Sequence, residues 1–160
     1  MTRAVLDGPC AVWHPIVAGL LERQSRLCER LESLSREQAG HVKEGRGDAL
    51  VGVLADRQHI IDEVLEVGAA LDPFRAARAQ LLRRLGPAER TAVEMKIEQI
   101  ASSIERVRVQ DEADRAELEA RRRGVADELA GLVRGRGAVA AYRGHSRVGA
   151  ERALDSETRG

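Results

Sequence analysis

The sequence predicts an all-α fold: an elongated antiparallel bundle or coiled coil of three long helices plus one short helix, with a flexible C-terminal tail. Aliphatic residues recur at alternating steps of three and four, the spacing of a seam between helices. No stretch reads as a strand. Only Trp13, Phe74 and Tyr142 are aromatic among 160 residues, too few to fill a thick globular core or line a cofactor pocket. A core of Leu, Ile, Val and Ala instead suits narrow inter-helical seams.

Residues 1–12 show no period and are expected to be disordered. The helical domain is expected over 13–134. Its first helix carries the row Val17, Leu20, Gln24, Leu27, Leu31, Leu34, Gln38 and His41. The two glutamines place polar layers in the seam, which lower stability but fix register. Gly45-Arg46-Gly47-Asp48 breaks the row, with glycine ending one helix and Asp48 capping the next. The second helix runs to about Ala70, and Leu50, Val53, Leu54, Ile60, Ile61, Val64 and Leu65 give it a broad apolar face. Asp72-Pro73 carries a helix-start signal and opens a short helix with Phe74, Leu81, Leu82 and Leu85. Gly86-Pro87 repeats that logic and starts the longest helix, from about Pro87 to Val133, roughly 70 Å at 1.5 Å per residue. Val93, Ile97, Ile100, Ile104 and Val107 hold its row. Asp111, Asp114, Leu118, Arg121, Val125, Glu128 and Leu132 then continue it with a polar middle. Glycines at 135, 137 and 144 mark residues 135–160 as a flexible C-terminal segment.

Composition narrows the function. The 26 basic and 26 acidic side chains cancel, which gives no support for broad attraction to nucleic acid or a membrane surface. No apolar run approaches the roughly 20 residues of a membrane span, and the N-terminus lacks a signal-peptide core. Cys10 and Cys28 are too few for a disulfide framework or a metal site, which suits a reducing compartment. A cytoplasmic location follows as the expectation.

Catalytic signatures are weak. Gly135-Arg136-Gly137-Ala138-Val139-Ala140 matches a dinucleotide-binding fingerprint in letters, but that motif needs a preceding strand. Cys10 with His14, and Cys28 with His41, bring no set of four convergent ligands. Asp111 and Asp114 share a helix face, as an acid–base pair would. Without a cleft they read as a polar layer, answered by Arg121 or by the first helix's glutamines. Arg121-Arg122-Arg123 and the arginines after it make the C-terminal end locally basic, which favours the helix C-terminus itself. The chain is therefore expected to be no enzyme, to hold no cofactor or metal, and to bind neither nucleic acid nor membrane. Leu129, Leu132, Val133, Val139 and Tyr142 form an apolar strip beyond obvious cover by the first two helices. Pattern alone favours a frayed end partly tucked against the bundle, and the functional alternative is an exposed strip that receives a partner helix.

Three stretches resemble the FlgN family of flagellar export chaperones. They are the glycine-aspartate turn and helix from Gly47 to Asp62, the acidic stretch from Gln110 to Leu118, and Tyr142-Arg143-Gly144. The similarity spans about residues 16–145. It departs from the family pattern at Asp114, where Asn is usual, and at Arg143, which separates Tyr142 from Gly144. The resemblance implies a cytosolic chaperone that binds the terminal helices of hook–filament junction proteins. Such a chaperone prevents their premature assembly and delivers them to the type III export gate. It implies cargo contacts at Leu129, Leu132, Val133 and Val139, and a contact with cargo or gate at Tyr142. The alternative is a structural coiled-coil scaffold, a homodimer self-associating through residues 93–132.

Overall fold

The computed structural model describes the backbone of residues 2–157 and the side chains of residues 2–134. Four helices follow one another: α1 (Arg3–Asp7), α2 (Cys10–Glu44), α3 (Gly47–Leu82) and α4 (Pro87–Glu157). No strand occurs among the described residues. The chain divides into two compact units, Met1–Glu117 and Leu118–Gly160, and α4 contributes to both.

In the first unit, α2 and α3 are antiparallel. Arg23 pairs with Glu63 at 3.1 Å, and Gln38, further along α2, meets Arg57, earlier in α3. The first half of α4 runs parallel to α2. Lys96 reaches Glu22 at 3.0 Å, Arg106 reaches Glu32 at 3.0 Å, and Gln38 donates to Asp114 at 2.7 Å. The expected row on α2 faces inward: Val17, Gln24, Leu31, Leu34 and Gln38 are buried, and Leu20, Leu27 and His41 are half-buried. Cys28 and Val42 join them.

Gly45 ends α2 at φ 68°, a left-handed conformation that glycine adopts without a Cβ clash. Its N–H reaches the Val42 carbonyl at 3.2 Å, and the Arg46 N–H reaches that of His41 at 3.0 Å, so two of the last free carbonyls are satisfied. Asp48 is not the cap expected of it. Arg46 occupies that position without a side-chain bond, and Asp48 lies in the first turn of α3, where its charge faces the positive end of the helix. At the start of α4 the local code works as read. Pro87 opens the helix, and the Glu89 carboxylate accepts the Gly86 N–H at 3.1 Å, half of a capping box.

Three expectations about element boundaries are corrected. The short helix at 73–85 does not exist on its own, because α3 continues through Pro73 to Leu82. Proline removes the donor for the preceding turn and crowds its carbonyls. The carbonyl deprived of its donor is that of Ala69, while Val67, Leu71, Phe74 and Leu81 keep one buried row across the proline. Residues 1–12 are not without structure. Arg3–Asp7 is helical, Leu6 is buried, and Val5 and Cys10 pack against the core. Finally, the last helix does not stop near Val133; its backbone stays helical through Glu157.

The core is uneven along its length. At one end Trp13 and Phe74 lie fully enclosed, with ring centroids 6.5 Å apart, among Leu6, Val17, Val67 and Leu71. The Arg84 guanidinium stacks 5.7 Å from the Trp13 ring centre. It also donates to the Leu6 carbonyl at 2.8 Å and to the Gly8 carbonyl, so it fastens the N-terminal segment over the aromatic cluster. At the other end three polar side chains, Gln38, Arg57 and Asp114, are buried beside Val42, Val53 and Val107.

Candidate protein-binding surface

The polar end is built from three helices. Arg57 lies on the α3 row between Val53 and Val64, a position where an aliphatic residue would continue the seam. Its guanidinium donates to Asp111 at 2.8 Å and to the Gln38 side-chain carbonyl. Gln38 in turn donates to Asp114 at 2.7 Å, and Gln110 donates to the other Asp114 oxygen at 2.8 Å. The two aspartates therefore form the polar layer, one answered by the α2 glutamine. Sequence reading missed Arg57, although its place on the three-four line from Val53 was a usable signal. Both Asp114 oxygens and one Asp111 oxygen already hold donors, and Asp114 is buried, so the pair lacks the open cleft that proton transfer to a substrate needs.

Beyond Asp114 the character of α4 changes. From Arg115 to Arg134 no residue is buried, and only Glu119 and Arg121 are half-buried. Within the second unit Leu118, Val125, Leu129, Leu132 and Val133 are all exposed, Leu132 by 64% and Val133 by 69%. At 3.6 residues per turn these five fall within an arc of roughly 100°, one continuous apolar stripe. Arg122 falls in the same arc, but its guanidinium is drawn to Glu119 at 3.3 Å, and Arg123 joins the same carboxylate at 3.2 Å. Five arginines stand against four carboxylates over residues 115–134, so the stripe is flanked by nearly balanced charge.

Three of the five residues expected to contact a partner, Leu129, Leu132 and Val133, thus share one exposed face. Leu118 and Val125 extend it and were not singled out, although their register placed them on the same line. Val139 and Tyr142 belong to the helical backbone of α4, but their side chains lie outside the described residues.

The remaining reactive side chains converge on nothing. No group of three or more His, Cys, Asp or Glu could hold a metal among the described residues. His14 faces Glu89 at 3.8 Å, and His41 faces Glu37 at 3.7 Å. Cys28 is fully buried, and burial, with a smaller contribution from the Glu29 charge, raises its thiol pKa. No described helix is long and apolar enough to cross a membrane. No family model, curated protein or solved structure matches the chain.

Proposed function

We propose that this chain is a cytosolic, non-enzymatic chaperone that binds a helix of a partner protein through the C-terminal part of α4. In its sharpest form, the partner is a terminal helix of a hook–filament junction protein bound for the flagellar type III export gate, as the resemblance to the FlgN family implies. The observation that carries the reading is the exposed stripe Leu118, Val125, Leu129, Leu132 and Val133. Scattered exposed aliphatics are ordinary, but a helical row of five on one face is the pattern by which amphipathic helices pair.

Removal of all residues after Ala130 tests the reading. The truncated chain is expected to lose only the helical signal of the removed part of α4 and to keep its melting behaviour, because the residues that form the buried core all precede Leu118. Its capture of junction proteins in a pull-down is expected to disappear. Undiminished capture would defeat the proposal. The same stripe also suits a second copy of the chain. A tight dimer by sedimentation, abolished by the double substitution Val125→Asp and Leu132→Asp, would favour the scaffold reading instead.

A further inference from the structure

A second surface lies wholly within the first unit, independent of the α4 stripe. Between α3 and α4 runs an open cleft of about 350 Å³, floored by Leu21, Leu71, Phe74, Ile97, Ile100 and Ile104. Ile104 is 45% exposed although it sits on the aliphatic row of α4, so part of that row has no covering helix. The side chain of Gln24 also lines the cleft. It is only 4% exposed and makes no hydrogen bond among the described residues. Its amide is not enclosed and faces the cleft as a donor and acceptor for a ligand group.

Toward the start of α4 the cleft continues into a second depression, where Arg75, Arg78, Arg83 and Arg90 stand against Glu94 alone. Arg75 pairs with Asp72, and Arg90 donates to the Leu82 carbonyl. Arg78 and Arg83 are exposed and have no ion-pair partner among the described residues. The surface thus offers an apolar trough, one unpaired amide, and a cationic end. From Arg90 to Ile104 it follows α4 for about 20 Å, the length of a helix of about four turns.

We propose that this cleft is a docking groove for an amphipathic helix of another protein, one that carries several glutamates or aspartates at one end. Such a helix would cover Ile104 and the half-buried Ile97 as the fourth member of a bundle, and its acidic end would meet Arg78 and Arg83. A fatty acid also combines an apolar body with a carboxylate. Its single charge does not match four arginines spread over two helices, and the trough is open along its side, not closed around a chain.

The test uses the full chain and two fluorescein-labelled 18-residue peptides, read by fluorescence anisotropy. Both carry leucines at positions i, i+3, i+4 and i+7. One has three glutamates in its first turn and the other has three lysines there. The glutamate peptide is expected to bind at least about tenfold more tightly than the lysine peptide. The double variant Arg78→Glu and Arg83→Glu should reverse that order, and Ile104→Asp should weaken both peptides. Both arginines are exposed, and circular dichroism checks that the variants stay folded. Truncation after Ala130 should change none of these affinities, which separates this groove from the α4 stripe. Equal affinity for the two peptides, no saturable binding of the glutamate peptide, or a preference that survives the arginine reversal would overturn the proposal. So would displacement of the glutamate peptide by lauric acid that the arginine reversal leaves unaffected.

Discussion

The two ends of the first unit are held together by opposite means. Around Trp13 and Phe74 the helices meet through apolar surface that excludes water and tolerates small shifts. Around Arg57 a few buried valines are joined by directional hydrogen bonds among Arg57, Gln38, Gln110, Asp111 and Asp114. Apolar burial contributes in proportion to area. The charged layer must first offset the desolvation of Arg57 and Asp114 before it contributes anything. The contrast is sharpened by its incompleteness, since Arg57 Nε and Asp111 Oδ1 are buried without a protein partner. The aromatic end is therefore the source of stability and the polar end the source of alignment.

The largest effect should come from the aromatic end. Trp13→Ala removes the biggest enclosed side chain and should destabilise by about 3–5 kcal/mol in chemical denaturation. A loss below 1 kcal/mol would show that the cluster collapses around the gap. At the polar end, Arg57→Ala leaves Asp111 without its cation and the Gln38 carbonyl without its donor, and should cost about 3 kcal/mol. The comparison turns on the next step. Replacing Gln38, Arg57, Asp111 and Asp114 together by Leu or Met should recover most of that loss or exceed wild-type stability. If the fourfold variant is as unstable as Arg57→Ala, the layer is a net stabiliser and the contrast drawn above is wrong.

Smaller changes refine the picture. Arg84→Ala should weaken the protein by about 1.5 kcal/mol through its bonds to Leu6 and Gly8. Amide hydrogen exchange should quicken at residues 3–10 and stay unchanged near Gln38. The smallest effect concerns the ion pairs that line α2 and α4. The hydrogen bond from Arg106, together with the charges of Arg106 and Arg36, holds the Glu32 carboxyl below its usual value of 4.5 despite partial burial. A carboxyl with a depressed folded pKa adds stability above pH 4.5 and loses it as the pH falls through the lower folded value. Glu32→Gln should therefore flatten the slope of stability against pH below about 4.5 and leave the slope at neutral pH unchanged, as thermal melts across that range would record.

Much of this architecture was legible because a three-four row is a strong signal wherever it is long. The α2 row from Val17 to His41 and, Ile104 apart, the α4 row from Val93 to Asp114 turned inward, glutamines and aspartates included. Reading failed where a local signal was ambiguous or a single residue did the work. Asp72-Pro73 has the letters of a helix start, yet the same letters are tolerated mid-helix when Leu71 and Phe74 bury on either side. Leu6 has no periodic neighbours, so nothing before folding distinguishes it from a loose terminus. Arg57 was passed over because charge argues for solvent; only Gln38 and Asp111, distant in the chain, make its burial feasible. For the binding surface, spacing marked Leu129, Leu132 and Val133 as one face. Their exposure depends on which helices lie nearby, and that is a property of the assembled chain.

The two connections between the long helices are placed at opposite ends. Gly45-Arg46 joins α2 to α3 beside Val42 and Val53, and the turn after Leu82 joins α3 to α4 beside Phe74 and Leu85. Each turn closes with few residues between its helices, so the entropy of bringing them together is small at both places. Contacts can therefore zip inward from two starting points, and a chain ordered this way folds quickly. The meeting of Trp13 with Phe74 needs the whole length of α2 and most of α3 to have found each other. That enclosure marks the completion of the structure, and the quenching or shift of the lone indole's emission is a natural clock for the last step.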